Sequence, residues 1–314
     1  MSGPVATTRR DLLASGAALA ALGALAPRLA PLARAAGAPG EPLFRFSLAE
    51  WSYHRALQSG RMQHLDFPGK AREHGTEGCE YVSTFFKDKA TDFAYLRELT
   101  QRCDDNGVKS LLIMIDGEGE LADKDSAARA QAVENHLRWI AAGAFLGCHS
   151  IRVNAGGGGF DERDEAAARA ADSLAHLGRY ADAYGLNVIV ENHGGLSSDG
   201  SWLAGVMRRA AHPRVGTLPD FGNFNLGNGS SYDRYKGVEE LMPFAKAVSA
   251  KSYDFDAAGD ETTIDYRRML KIVVAAGYHK WLGIEYEGER MGEPEGVQAT
   301  KALCERIREE LGPR

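Results

Sequence analysis

Several short apolar stretches of this 314-residue chain end in groups that can move protons or hold a cation. Asn187-Val-Ile-Val runs into Glu191-Asn192-His193, and Val215–Pro219 runs into Asp220-Phe221-Gly222-Asn223. Ser249-Ala250-Lys251-Ser252-Tyr253-Asp254 and Glu285-Tyr286-Glu287 have the same character, as do Arg152-Val153-Asn154 and Glu50-Trp51. A carboxylate placed directly after Val-Ile-Val or Leu-Gly-Ile is costly to ionise unless it meets a partner or a metal. Glu191, Asp220 and Glu285 therefore read as one joint site. Their hard oxygen donors suit a divalent metal such as Mn2+, Co2+, Mg2+ or Zn2+ better than a thiolate-seeking one.

The neighbours supply the rest of a proton-transfer site. Strand alternation puts His193 on the face of Glu191, where it can contact substrate, relay protons or complete a metal shell. Lys251 can steady a developing enolate oxygen, or it can form a plain salt bridge with Asp220 or Asp254. Trp51, Tyr53 and Tyr253 offer rings to a sugar face, and Arg152, Asn154 and Asn223 can orient hydroxyl groups. Glu287 shares a face with Glu285 but lies further out, which predicts a rim position. Glu80, in mid-strand, is expected either in the barrel interior or paired with Lys or Arg.

To converge, these groups need strands that run the same way. Eight β-rich runs are predicted, over 44–50, 78–85, 108–115, 149–154, 187–191, 215–220, 247–253 and 281–286. Helical patterns lie between them at 92–106, 126–145, 162–184 and 266–276, each followed closely by a glycine suited to the left-handed C′ position. Repeated strand–helix alternation indicates a parallel sheet, and eight repeats favour a closed (β/α)8 (TIM) barrel over an open doubly wound sheet. No G-x-G-x-x-G follows the first run, which argues against a dinucleotide fold. Gly156–Gly159 reads as a loop rather than a phosphate cradle, because no Lys-Ser/Thr follows it.

Residues 1–35 read as a twin-arginine signal peptide, leaving residues 36–314 as a single barrel domain. The segment has Arg9-Arg10 before a modest apolar run from Leu12 to Leu25, then the small-x-small site Ala33-Arg34-Ala35. The expectation is a periplasmic or otherwise exported protein without stable membrane anchoring after cleavage. A route that carries folded cargo also suits a preloaded cofactor. The net charge of −6 argues against nucleic-acid partners, since phosphate binding needs a basic surface. Cys79, Cys103, Cys148 and Cys304 match no metal or redox spacing and are expected to be buried.

Over about residues 44–310 the chain resembles the xylose-isomerase-like family of (β/α)8 sugar-phosphate isomerases and epimerases. The resemblance rests on Glu191 closing strand five, Asp220 with Asn223 three residues on, Lys251 in strand seven and Glu285 closing strand eight. It implies that Glu191, Asp220 and Glu285 are metal ligands. It further implies that Glu191 and Glu285 act as acid and base beside the carbonyl of a keto sugar, through an enediolate. Strand seven departs from the pattern, with Ser249 where a His is expected. The resemblance then allows a metal held by three carboxylates with His193 or water, or a site in which the metal is weak or lost. Endonuclease IV is similar in fold, but the additional histidines it needs are missing here. The implied partner is a small carbohydrate, with a homo-oligomer expected of barrels of this type. The alternatives are a lyase or hydrolase acting on 3-keto-glycosides through the same site, and a non-catalytic periplasmic sugar-binding barrel.

Overall fold

The computed structural model describes residues 42–313, so the segment read as an export signal lies outside the described residues. Eight strands form the expected ring: β1 Arg45–Ala49, β2 Gly78–Val82, β3 Lys109–Met114, β4 Ser150–Val153, β5 Asn187–Glu191, β6 Val215–Leu218, β7 Val248–Ser252 and β8 Trp281–Tyr286. A helix follows each in turn: α1 Phe67–Glu73, α2 Phe93–Asn106, α3 Ser126–Leu146, α4 Arg163–Asp182, α5 Gly200–Ala210, α6 Arg234–Leu241, α7 Tyr266–Ala275 and α8 Glu293–Leu311.

Every pairing in the ring is parallel, in the order β6-β5-β4-β3-β2-β1-β8-β7. Among the described residues, the two ends of the sheet meet through the isolated parallel bridges Thr217–Ala245 and Asp220–Ser249, each with one partner just outside β6 or β7. The sparse pairing at this seam has a local cause. Pro219 has no N–H to give to a ladder, so β6 ends at Leu218, two residues before the predicted limit, and Asp220 reaches β7 through a single bridge. β2 likewise stops at Val82, and Ser83–Phe85 tighten into a 3-10 turn.

The main core lies between the ring and the helices, which is why the strands read as nearly continuous apolar runs. A second, smaller apolar cluster of Ala49, Val82, Leu112, Met114, Ile189, Leu218 and Ala247 comes mostly from the strands, with Trp51 and Phe85 packed against it. Gly107 and Gly147, at φ 65° and 77°, end α2 and α3 in the left-handed conformation predicted for them. Five helices also open on an aspartate whose side chain accepts from a first-turn N–H: Asp92, Asp125, Asp199, Asp233 and Asp265. All four cysteines are buried and free. Among the described residues, no helix is long and apolar enough to cross a membrane.

Candidate active site at the carboxyl ends of the strands

The last inward-facing residues of β5 and β8, together with Asp220 just past β6, bring Glu191, Asp220 and Glu285 together. All three are buried, and one ligand oxygen from each lies within 4.8 Å of the others. Asp220 is the most rigidly held. Its Oδ1 accepts from the backbone N–H of Gly222 and of Asn223, both at 2.7 Å. Asn192 pins the same loop, with Oδ1 accepting from the Asp220 N–H at 2.8 Å and Nδ2 donating to the carbonyls of Asp220 and Asn223. Asn223 in turn donates from Nδ2 to Glu191 Oε1 at 3.2 Å.

Two cations serve these acids. Lys251 Nζ is buried 2.9 Å from Glu285, 3.1 Å from Glu287 and 3.8 Å from Asp220. The sequence alternative of a bridge to Asp254 is corrected: Asp254 pairs with Arg290, at 2.9 Å. Arg152 lies between Asp116, at 2.7 Å, and Glu191, at 2.8 Å. Asn154 also donates to Asp116, at 2.8 Å. Ser249 occupies the gap between Asp220 and Glu285, its Oγ 2.9 and 2.7 Å from their carboxylate oxygens.

These surroundings separate the proton affinities of the carboxylates. Glu191 is pushed up to about 7, chiefly by burial and against the pull of Arg152. Asp220 is also pushed up to about 7 by burial, with Lys251 opposing. Glu285 is equally buried, yet Lys251 and the Ser249 hydroxyl hold it below the usual carboxylate range. Asp116 stays low despite burial because Arg152 and Asn154 face it.

The remaining predicted residues take distinct places. Trp51 donates from Nε1 to Glu287 at 2.6 Å and stacks on His54, so Glu287 is at the rim as expected but fully engaged. His193 is exposed at the mouth; the protein around it and the Arg152 charge hold its imidazole below the usual range. Tyr253 is half-buried beside Gly222, where a Cβ would collide with the Tyr253 hydroxyl and crowd Lys251. Tyr53, by contrast, is buried in the core and bonded to His74, away from these groups. Glu80 does reach the interior, but its partner is the Ser47 hydroxyl at 2.5 Å rather than Lys or Arg. Asp116 and Asn192 were not singled out from the sequence. Asn192 could have been, as a buried amide directly after the strand-five Glu; Asp116 follows Ile115 in a Gly/Glu-rich loop that gives no comparable signal.

The residues present fit a hard divalent cation. They offer three buried carboxylates, and Glu191 Oε2 has no hydrogen-bond donor: the nearby Arg152 Nε is close but badly aligned, and neither atom is satisfied by the other. Such an unmatched buried acceptor is a place for a ligand.

Comparison with known proteins agrees with this architecture. The model of the xylose isomerase-like TIM barrel family matches residues 68–309. No curated protein matches the chain in sequence. Among solved structures, an L-ribulose 3-epimerase is 16% identical with a TM-score of 0.66, covering 85% of this chain and 95% of its own. The E. coli 3-keto-D-glucoside 4-epimerase is 15% identical with a TM-score of 0.63, covering 85% of this chain and 100% of its own. The IolI protein with a bound zinc atom is 13% identical with a TM-score of 0.66, covering 85% of this chain and 98% of its own. Identities this low speak to the fold.

Proposed function

Because the chain belongs to the xylose isomerase-like TIM barrel family, we propose that it is a sugar isomerase or epimerase that removes and returns a proton beside the carbonyl of a small keto sugar. The observation that carries this reading is the convergence of Glu191, Asp220 and Glu285 at the carboxyl ends of the strands, the face on which barrels of this kind do their chemistry. The sugar-epimerase names among proteins of the same fold support it.

The two glutamates have the unequal environments that acid–base pairs require. Glu285, kept anionic by Lys251 and Ser249, is the group that takes the proton. Glu191, balanced near neutrality, is the group that returns one. Return to the opposite face gives an epimer, and return to the neighbouring carbon gives an isomer. Lys251 provides positive charge close to the developing enolate oxygen. Arg152, held by Asp116, orients hydroxyls together with Asn154, Asn223 and His193, and the free edge of the Trp51 ring rests against the sugar. Glu191, Asp220 and Glu285 would hold a divalent ion, with Ser249 or His193 near the remaining position. When bound, such an ion would polarise the carbonyl as a Lewis acid. The Arg9-Arg10 segment supports a place of work outside the cytoplasm.

The test is solvent exchange. Incubation with a panel of keto sugars in D2O should introduce deuterium beside the carbonyl of at least one of them, seen by NMR. Glu285→Gln should slow that exchange roughly 10²–10⁴-fold without unfolding the protein. Exchange in the variant at the wild-type rate would remove Glu285 from the mechanism.

A further inference from the structure

The cavity immediately over the carboxylates is small. Between Trp51, Arg152, Glu191, Lys251 and Glu285 it measures about 60 Å3, the volume of about two water molecules at ~30 Å3 each. Small-molecule sites are commonly about 300–1,000 Å3. Only the reacting edge of a sugar can enter this cavity, and the rest of the substrate must lie further out. Directly across Glu287 is a groove of about 1100 Å3, built from the loops that follow β1, β7 and β8. Those are the strands that present Trp51, Lys251 and Glu285. Glu287 stands between the two spaces, accepting from Trp51 with one oxygen and from Lys251 with the other. The His54 ring lines the groove and lies flat on Trp51, centroids 4.9 Å apart at 14°.

The groove's charge defines what it takes. Arg55, Arg61 and Arg290 face Asp254, Glu287, Glu289 and Glu293, so positive charge is not in excess. Arg290 is paired with Asp254, and Arg55 is committed to Glu293 and to the Gly288 carbonyl. A phosphate clamp needs convergent, uncommitted cations, and none is assembled here. Mixed donors and acceptors beside ring faces suit a neutral, hydroxyl-rich ring. A second groove, of about 700 Å3, lies over the loop after β6. It touches the site only at Gly222, with no side chain shared between it and the carboxylates.

Resting on the keto-sugar reading, we infer that the substrate is a neutral glycoside, with its keto-sugar ring over the carboxylates and a second ring seated in the groove between His54, Arg61 and Met291.

Titration calorimetry on the full-length protein tests this, using ketoses, their phosphates, and ketose-containing disaccharides such as lactulose, maltulose and palatinose. At least one disaccharide should bind tenfold or more tightly than its own ketose, and no phosphate should bind more tightly than its ketose. His54→Ala and Arg61→Ala should each cut the disaccharide-to-ketose ratio to threefold or less. Equal affinity for every disaccharide and its ketose would overturn the inference, as would tighter binding of a phosphate. A preference that survives both substitutions would also overturn it, because the second ring would then lie elsewhere. Deuterium exchange reports separately on the chemistry. Exchange in ketoses with no disaccharide preference defeats the groove and leaves the isomerase reading standing. A groove-dependent preference with no exchange in any sugar defeats the isomerase reading and leaves the groove as a saccharide site.

Discussion

Glu80 is the most informative residue to perturb for stability, because its cost is confined to one pH window. It projects from β2 into the ring, with one oxygen accepting from Ser47 and the other without a partner. Burial pushes its carboxyl up to about 8; the Ser47 hydrogen bond opposes this, and the charges of Glu285 and Glu191 add to it. In the unfolded chain the same group titrates near 4.5. Between these values the folded protein holds a proton that the unfolded chain has released. Stability therefore falls as pH rises, by about 1.4 kcal/mol per pH unit. Across the whole window the loss is on the order of 4 kcal/mol. Glu80→Gln cannot ionise, and its amide oxygen can still accept from Ser47. Any strain of the amide against Gly283, where a Cβ would already stand 2.6 Å from Glu80 Oε2, is independent of pH. The variant-minus-wild-type difference in Tm should thus be smallest near pH 5 and grow toward pH 8. At roughly 2–4 °C per kcal/mol for a chain of this size, the growth is on the order of 10 °C. Melting curves by circular dichroism at constant ionic strength measure it. A Tm difference that stays flat across that range would refute the argument and show Glu80 to be ionised within the fold.

Two further perturbations address the site itself. The wild-type protein, after reconstitution, should carry about one divalent ion per chain by mass spectrometry, the stoichiometry that one three-carboxylate site can hold, and the double variant Glu191→Gln/Asp220→Asn should lose it; a metal-free wild type would leave Lys251 as the site's acting cation. Asn192→Ala removes the amide that fixes the Asp220 loop from both sides and should lower kcat roughly tenfold or more while moving Tm by only a few degrees. A fall in Tm with unaltered kcat would make Asn192 a structural residue only.

The ring and its polar mouth were legible in the sequence because parallel strands buried on both faces leave long apolar runs. A charged residue at the end of such a run stands out. Glu191, Asp220 and Glu285 were visible for that reason, and the structure brings them together. Strand ends were less legible. Pro219 ends β6 early, although the β-like composition continues past it. The helices α5 and α6 end without a glycine, and α1 and α8 were not delimited although Gly75 and Gly312 follow them closely; the Asp caps became visible only from their bonds. Asp116 and Asn192 belong to a different class. Their importance comes from what other strands place beside them, Arg152 from β4 and the Asp220 loop after β6, and no local pattern encodes such cross-strand placement.

Ser249 bears most directly on how the site holds its charge. Its hydroxyl has one hydrogen, yet its oxygen lies within hydrogen-bond distance of both Asp220 and Glu285. One of those contacts is therefore satisfied only if the carboxyl donates instead, or if positive charge offsets the two facing oxygens. The wider inventory points the same way. Glu191, Asp220, Glu285, Glu287 and Asp116 share two fixed cations, Lys251 and Arg152. Ionising every acid in a buried site with that imbalance is unfavourable, and Glu191 and Asp220 are accordingly the two whose proton affinity rises. Burial raises the proton affinity of those two residues, so without an ion they can hold part of that missing positive charge as protons. A bound divalent ion would displace those protons, so loading should release protons to solvent. The Ser249 hydroxyl can re-aim at either carboxylate as the proton inventory changes, a freedom that an imidazole ligand fixed on a metal would not have.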